Sequence, residues 1–339
     1  MPQISERGLQ MPASPIRKLA PLSDAAKASG VKVYHLNIGQ PDLPSPQVAL
    51  DAIRSIDRTT LEYSPSDGFR FFRENLVSYY SSFDIHLLPE EIIVTAGGSE
   101  AVLYAFMACL NPGDEIIVPE PAYANYMAFA VSAGAVIKTI PTSIDTGFKL
   151  PEIEKFEALI HSKTKGILIC NPNNPTGYVY TADEMEQIRL LVKKHNLYLF
   201  SDEVYREFIY SDAPYISACH LKEIEENVVL IDSVSKRYSE CGIRIGCLIT
   251  KNKKLHDTVM KFCQARLSPP LVGQIAANAS LQENGAYMQR NFDEYKSRRD
   301  FLIDRLNKIP GVYSPQPEGA FYTLASLPVE DTDAFCAWC

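Results

Sequence analysis

The amino-acid sequence predicts an α/β protein: a mostly parallel sheet covered by helices on both faces, followed by a smaller, incomplete α/β second domain. Three observations carry that prediction. Short runs such as EIIV (91–94), KGILIC (165–170), LYLF (197–200) and VVLI (228–231) are apolar apart from a leading Glu91 and Lys165, the mark of strands buried on both faces. Amphipathic segments such as ADEMEQIRLLVKKHN (182–196) stand between some of them, as crossover helices do. After about residue 282 the rhythm gives way to a long charged helical pattern.

In chain order, residues 1–46 read as an N-terminal arm and part of the small domain. Pro12, Pro15 and Pro21 punctuate the arm, a short helix is expected around Asp24 to Ser29, and VKVYHLNIG (31–39) has strand character. The Pro-rich turn QPDLPSPQ then leads to a helical pattern from Val48 to Ile56. The large domain is placed at 47–282. Its rhythm settles in the order EIIVTAGG (strand and turn), SEAVLYAFMACL (helix), NPGD (turn) and EIIVPEP (strand). Residues 283–339 are assigned to the small domain, with a helix over QRNFDEYKSRRDFLIDRLNKI, a loop carrying strand-like FYTLA, and a second helix starting at Asp331. The pattern stops at Cys339 inside that helix without a stop signal, so the chain reads as a fragment of a longer protein.

Composition narrows the function classes. Hydrophobic residues make up 46% and charged residues 22%, an ordinary globular balance. The net charge of −8, with no Lys/Arg cluster, opposes a nucleic-acid surface. No apolar run has the length of a membrane span, and MPQISERGLQ lacks the apolar core of a signal peptide, so a soluble, cytoplasmic protein is expected. The eight cysteines are scattered, as reduced thiols are in a cytosolic enzyme. Cys336-Ala-Trp-Cys339 has redox or metal spacing without a second pair, and the six histidines show no paired ligand spacing. No metal site is expected.

In a sheet of this kind ligands bind at the carboxyl ends of the strands, so the polar residues ending each run converge on one rim. Four segments there carry chemistry. TAGGSEA (95–101) has two glycines for close backbone approach and opens a helix whose first N–H groups suit a phosphate, with Ser99 as a cap; alone, it also fits a plain strand-to-helix turn. NPNNPTG (171–177) is a rigid, proline-fixed loop that can present Asn174, or simply turn the chain. In SDEVY (201–205), Asp202 at a buried strand end needs a partner: a cationic ring nitrogen, a backbone cap or an arginine. Tyr205 puts a hydroxyl on the same rim. In SVSKRYSECGIRIG (233–246), Lys236 is a candidate nucleophile toward a carbonyl, and Ser233, Ser235 and Arg244 suit a phosphate beside it; a surface turn with a solvated lysine is the plain alternative. Together the four segments describe one ligand with a phosphate, an aldehyde, a ring nitrogen and a phenolic oxygen. Pyridoxal 5′-phosphate has those features.

With PEPAYANY (119–126) added, these motifs resemble, in order and approximate spacing, a fold-type I pyridoxal-phosphate enzyme of the class I aminotransferase family that includes aspartate aminotransferases. The resemblance runs from about Pro12 to the last residue. It implies that Lys236 holds the cofactor covalently and, once released, shuttles a proton between the substrate Cα and the cofactor. Asp202 would keep the ring nitrogen protonated, which makes the ring an electron sink. Asn174 and Tyr205 would bond the phenolic oxygen, and Tyr123 would stack on the ring. Gly98, Ser99, Ser233, Ser235 and Arg244 would hold the phosphate. Tyr63 would reach the phosphate of a neighbouring subunit, and the Gly39 backbone would lie against the substrate carboxylate. Asn174 and Tyr123 are further expected at the substrate, and a homodimer with shared active sites follows from the same likeness.

The family's arginine for the substrate α-carboxylate lies beyond the end of this chain, and no residue here is assigned that role. The implied reaction is transfer of an amino group from an L-amino acid to a 2-oxo acid, aspartate with 2-oxoglutarate by overall likeness. Alanine, aromatic or broad specificity stays open. Arg17, Lys18 and Arg266 are candidates for reading an acidic side chain, although surface placement is expected for each. Two rivals from other classes are a pyridoxal-phosphate C–S lyase and a non-catalytic, ligand-sensing aminotransferase-like domain.

Overall fold

In the computed structural model, which describes every residue except Met1, Ile16, Ala213 and Asn284, the apolar runs become one seven-stranded sheet. The strands are β1 (Ile92–Thr95), β2 (Glu115–Glu120), β3 (Val136–Pro141), β4 (Thr164–Cys170), β5 (Tyr198–Asp202), β6 (Val228–Ser233) and β7 (Gly246–Ile249). Their order across the sheet is β1-β7-β6-β5-β4-β2-β3. The pairs β2–β3, β2–β4, β4–β5 and β5–β6 are parallel, and β7 runs antiparallel to both β6 and β1.

Alternating side chains serve the two faces of the sheet. Leu168, Phe200, Val229, Ile231 and Leu248 pack into one core with Ala101, Val102, Ala105 and Phe106 of the helix Gly98–Cys109. Their neighbours Ile167, Ile169 and Leu199 pack on the other face with Met185, Ile188, Leu191 and Val192 of the helix Ala182–His195. A third cluster on that side joins Leu230, Cys247 and Ile249 to Phe72, Leu76 and Tyr80 of the helix Arg70–Ser81. Each Val, Leu, Ile, Phe or Met side chain among them contributes about 1.5–3 kcal/mol by leaving water, which is why these runs are so apolar. The helix Ala182–His195 is bounded locally: Thr181 Oγ1 accepts from the Glu184 amide at 3.2 Å, Glu184 Oε2 accepts from the Thr181 amide at 2.8 Å, and Asn196 ends it in the left-handed conformation.

Other expected helices form with shifted ends, at Ala20–Ala28, Gln47–Arg54, Ala286–Leu306 and Thr332–Trp338. In the last, Asp331 is the N-cap, its carboxylate accepting from the Ala334 amide at 2.9 Å. Two expected strands do not form. The stretch 31–39 has no sheet partner, and its apolar side chains Val31, Tyr34, Leu36 and Ile38 stay exposed. Within 321–325 there is no strand. Phe321 instead stacks on Tyr295 at 4.8 Å and meets Phe208 edge-on at 5.3 Å, so side-chain packing on the helix Ala286–Leu306 takes the place of pairing. Among the described residues, no helix is long and apolar enough to cross a membrane.

Candidate active site

Strands β1, β2, β4, β5 and β6 point their carboxyl ends to one rim, and the reversed β7 brings its amino end there. Asp202 is the last residue of β5, and Ser233 the last of β6. Lys236 follows in the short helix Val234–Arg237. Arg244 sits just before β7, and Gly97-Gly98 just after β1, opening the helix Gly98–Cys109. The loop after β4 carries Asn174, and the loop after β2 carries Tyr123.

Asp202 is 7% exposed and has no cationic partner in an ion pair among the described residues. Its Oδ2 accepts from the Tyr126 hydroxyl at 2.6 Å and its Oδ1 from the Val204 amide at 3.4 Å. Burial, opposed by those two donors, lifts its carboxyl to about 6. A buried carboxylate so placed favours a cation delivered by a ligand. Burial also lowers the Lys236 ammonium, and the nearby Arg244 charge pushes the same way against Cys241 and Asp202. The Lys236 Nζ donates to the Gly39 carbonyl at 2.6 Å. An amine held nearer neutrality suits attack on an aldehyde.

On the phosphate side, Gly97 has φ +83°, and a Cβ there would stand 2.2 Å from Arg244 Nη2, so only glycine lets the guanidinium lie across this turn. That guanidinium donates to the carbonyls of Cys241 at 2.9 Å and Ala96 at 3.3 Å. Ser233 and Ser235 share a hydroxyl contact of 2.7 Å. Ser99 is half-buried in the first turn of the Gly98–Cys109 helix. Backbone N–H groups, hydroxyls and an arginine are the donor set a phosphate requires. At the other end, Asn174 Nδ2 donates to the Tyr205 hydroxyl at 3.3 Å, and the Tyr123 ring meets Tyr126 edge-on at 5.3 Å. The donors, the lysine and the cation-seeking carboxylate fit the aldehyde, phosphate and ring nitrogen of pyridoxal phosphate.

Gly39, Asp202, Asn174, Tyr205, Lys236 and Arg244 therefore gather at one rim with Gly98, Ser99, Tyr123, Ser233 and Ser235. Tyr63 does not join these contacts; it is 75% exposed. The three basic residues weighed as readers of an acidic side chain are not brought together. Arg17 is exposed, Lys18 pairs with Asp333 at 2.7 Å, and Arg266 is not on the surface but pairs with Glu100 at 3.1 Å and donates to the Ser66 carbonyl at 3.0 Å. Arg266 turns inward because Glu100, in the first turn of a packed helix, needs a cation. Two tyrosines were missed: Tyr126, which holds Asp202, and Tyr322, whose hydroxyl lies 2.7 Å from that of Tyr205. Tyr126 ends the PAYANY segment, and nothing in that local pattern points its hydroxyl at Asp202.

Behind the rim lies a buried ion cluster. Arg206 reaches Asp232 at 3.1 Å and Glu203 at 3.0 Å, while Arg237 pairs with Asp232 and, at 3.1 Å, with Glu207. Burial alone would raise Asp232, but the two arginines and Tyr80 hold it below its usual range. Each member is the chain neighbour of a rim residue or lies two positions from one, so the cluster ties the ends of β5 and β6 together from below.

Comparisons with known proteins give the family. Residues 31–337 match the family described as aminotransferase class I and II. An aspartate aminotransferase of Thermotoga maritima is 34% identical over 337 residues, covering 98% of this chain and 87% of the relative. The crystal structure of a Thermotoga maritima aspartate aminotransferase superposes with a TM-score of 0.92 at 33% identity, covering 98% of this chain and 88% of that one. An alanine aminotransferase from Pyrococcus furiosus also reaches 0.92, at 29% identity over 99% of this chain and 88% of its own. Fold, rim and relatives together identify the chain as a member of the class I and II aminotransferase family, enzymes that use pyridoxal phosphate to exchange amino groups between amino and 2-oxo acids.

Proposed function

We propose that this aminotransferase uses aspartate as donor and 2-oxoglutarate as acceptor, with Lys236 as the residue that holds the cofactor. The observation that carries the site reading is the pairing, on one rim, of a half-buried lysine with a lowered ammonium and a buried carboxylate with no cationic partner among the described residues. Asp202 would bond the ring nitrogen, with Tyr126 fixing its carboxylate. Asn174 and Tyr205 would bond the phenolic oxygen, and Tyr123 would cover the ring. Gly98, Ser99, Ser233, Ser235 and Arg244 would hold the phosphate. When bound, the cofactor supplies an electron sink for the carbanion left at the substrate Cα. Lys236 would take the Cα proton on Nζ, the atom that donates to the Gly39 carbonyl at 2.6 Å. Tyr63, exposed on this subunit, fits a role at a neighbour's phosphate in a homodimer with shared sites. The arm at 1–46, large domain at 47–282 and small domain at 283–339 are retained as the domain division.

The donor rests on the relatives' names. Aspartate aminotransferases at 30–34% identity from Thermotoga maritima, Pyrococcus horikoshii and Bacillus favour aspartate. The Pyrococcus furiosus structure favours alanine as the second reading. The test is the visible spectrum of the protein with pyridoxal phosphate, before and after each amino acid. Bleaching of the lysine-linked band by aspartate, restored by 2-oxoglutarate, is the expected result. Bleaching by alanine alone would move the assignment, and release of pyruvate and ammonia without a 2-oxo acid would indicate a lyase. Lys236→Ala should abolish the band and all turnover while leaving the fold; a variant that still turns over would refute the role of the lysine.

A further inference from the structure

Tyr322 enters the rim from the segment after the helix Ala286–Leu306, where no role has been given to it. Its hydroxyl lies 2.7 Å from the Tyr205 hydroxyl and 3.4 Å from the Gly39 carbonyl. The contact with Gly39 is tight: a Cβ at that position would stand 1.8 Å from the Tyr322 oxygen. The ionisable groups facing the hydroxyl are Tyr205, Cys170, Tyr123 and Cys241, with Lys236 at the far side of the Gly39 carbonyl.

Donor counting gives the hydroxyl a direction. A tyrosine hydroxyl has one proton and two lone pairs. The Gly39 carbonyl, 3.4 Å away, is a poor acceptor for Tyr322 beside the Tyr205 oxygen at 2.7 Å. The proton of Tyr322 therefore belongs in the shorter contact, on the Tyr205 oxygen. That oxygen also accepts from Asn174 Nδ2 at 3.3 Å, so both its lone pairs are filled. The Tyr205 proton is then left without an acceptor among the described residues, and it points to whatever occupies the rim.

We propose that Tyr322 is a positioning residue that makes Tyr205 an obligate hydrogen-bond donor to the bound ligand's phenolic oxygen. The proposal rests on the reading of Tyr205 as a contact to that oxygen. A hydroxyl whose lone pairs are engaged is a stronger donor, so Tyr322 acts on the cofactor only through Tyr205.

The test is the pH midpoint of the visible band of the protein loaded with pyridoxal phosphate, measured without substrate. A weaker donor leaves the phenolic oxygen more basic, so Tyr322→Phe should raise the midpoint by about half a pH unit, the size expected on losing one neutral hydrogen bond. Tyr205→Phe should raise it further, and adding Tyr322→Phe to that variant should change nothing more. The Phe ring keeps the edge-on packing with Tyr205 at 5.4 Å, and the thermal midpoint of the cofactor-free variant reports whether it folds. Tyr322→Leu, with the same expected rise, serves as the second perturbation. An unchanged midpoint in the folded Tyr322 variants, or a shift that persists without the Tyr205 hydroxyl, would overturn the proposal. No band in the unmodified protein would overturn the site reading with it, whereas a band that appears normally and ignores Tyr322 removes this inference alone.

Discussion

Asp202→Asn should stabilise the cofactor-free protein and impair the loaded one. The carboxylate sits at the end of β5, buried, and among the described residues it accepts from the Tyr126 hydroxyl and the Val204 amide. Its folded value of about 6 stands above the usual 3.8. The sign follows from linkage: a carboxyl raised by folding holds its proton more tightly in the native state, so stability falls as pH rises from about 4 to about 6 and stays lower above that. A rise of two units corresponds to about 3 kcal/mol. Asn reproduces the neutral form, still accepts from Tyr126, and avoids this loss. For a chain of 339 residues the unfolding entropy is about 0.7 kcal/mol per degree, so the gain at pH 8 should be about 4 °C in Tm and should vanish toward pH 4. Differential scanning calorimetry of both cofactor-free proteins across that range is the assay. With pyridoxal phosphate bound the order should reverse, because the ring nitrogen supplies the cation that the carboxylate lacks, and turnover should drop in the variant. A Tm difference independent of pH, or an Asn variant less stable at pH 8 without cofactor, would refute the argument that burial, helped by the Asp232 and Glu203 charges, raises Asp202.

Arg206→Met should remove the guanidinium that bridges Asp232 and Glu203, leaving two buried carboxylates short of a partner. The expected loss is about 3–5 kcal/mol, read as a fall of about 4–7 °C in Tm; an unchanged Tm would mean that the cluster is not stabilising. Gly97→Ala should displace the Arg244 guanidinium, which a Cβ would approach to 2.2 Å, and strain a backbone at φ +83°. Pyridoxal phosphate should bind about tenfold or more weakly by fluorescence titration, and equal affinity would remove Arg244 from the phosphate contacts.

The sheet and half of the rim were legible because both are written in local pattern. An apolar run that stops at a polar residue names a strand and its functional end at once, and this located Asp202, Ser233 and the loop with Asn174. What local pattern cannot carry is a contact between distant segments. Tyr126 lies in the apolar pattern of the helix Asn125–Ala133 and reads as core, yet its hydroxyl meets a carboxylate 76 residues away. Tyr322 meets Tyr205 across 117 residues. Arg266 shows the converse: a lone arginine expected at the surface is turned inward by an ion pair with Glu100, 166 positions earlier in the chain. The stretch 31–39 has strand propensity but no neighbouring edge, and propensity without a partner does not make a strand.

The reversed direction of β7 has a consequence for motion. Ser233, at the end of β6, is paired in register with Gly246, at the start of β7. Residues 234–245 thus form one short connection whose two ends are pinned to each other by the sheet, and that connection carries both Lys236 and Arg244. The spacing between the Lys236 amine and the Arg244 guanidinium, the two groups we propose hold the cofactor, is therefore set by a single twelve-residue connection anchored at both ends. Gly39 and Tyr322 reach the same lysine and tyrosine from outside the sheet. A shift of either would leave the spacing between Lys236 and Arg244 unchanged, because that spacing is set by the pairing of β6 with β7.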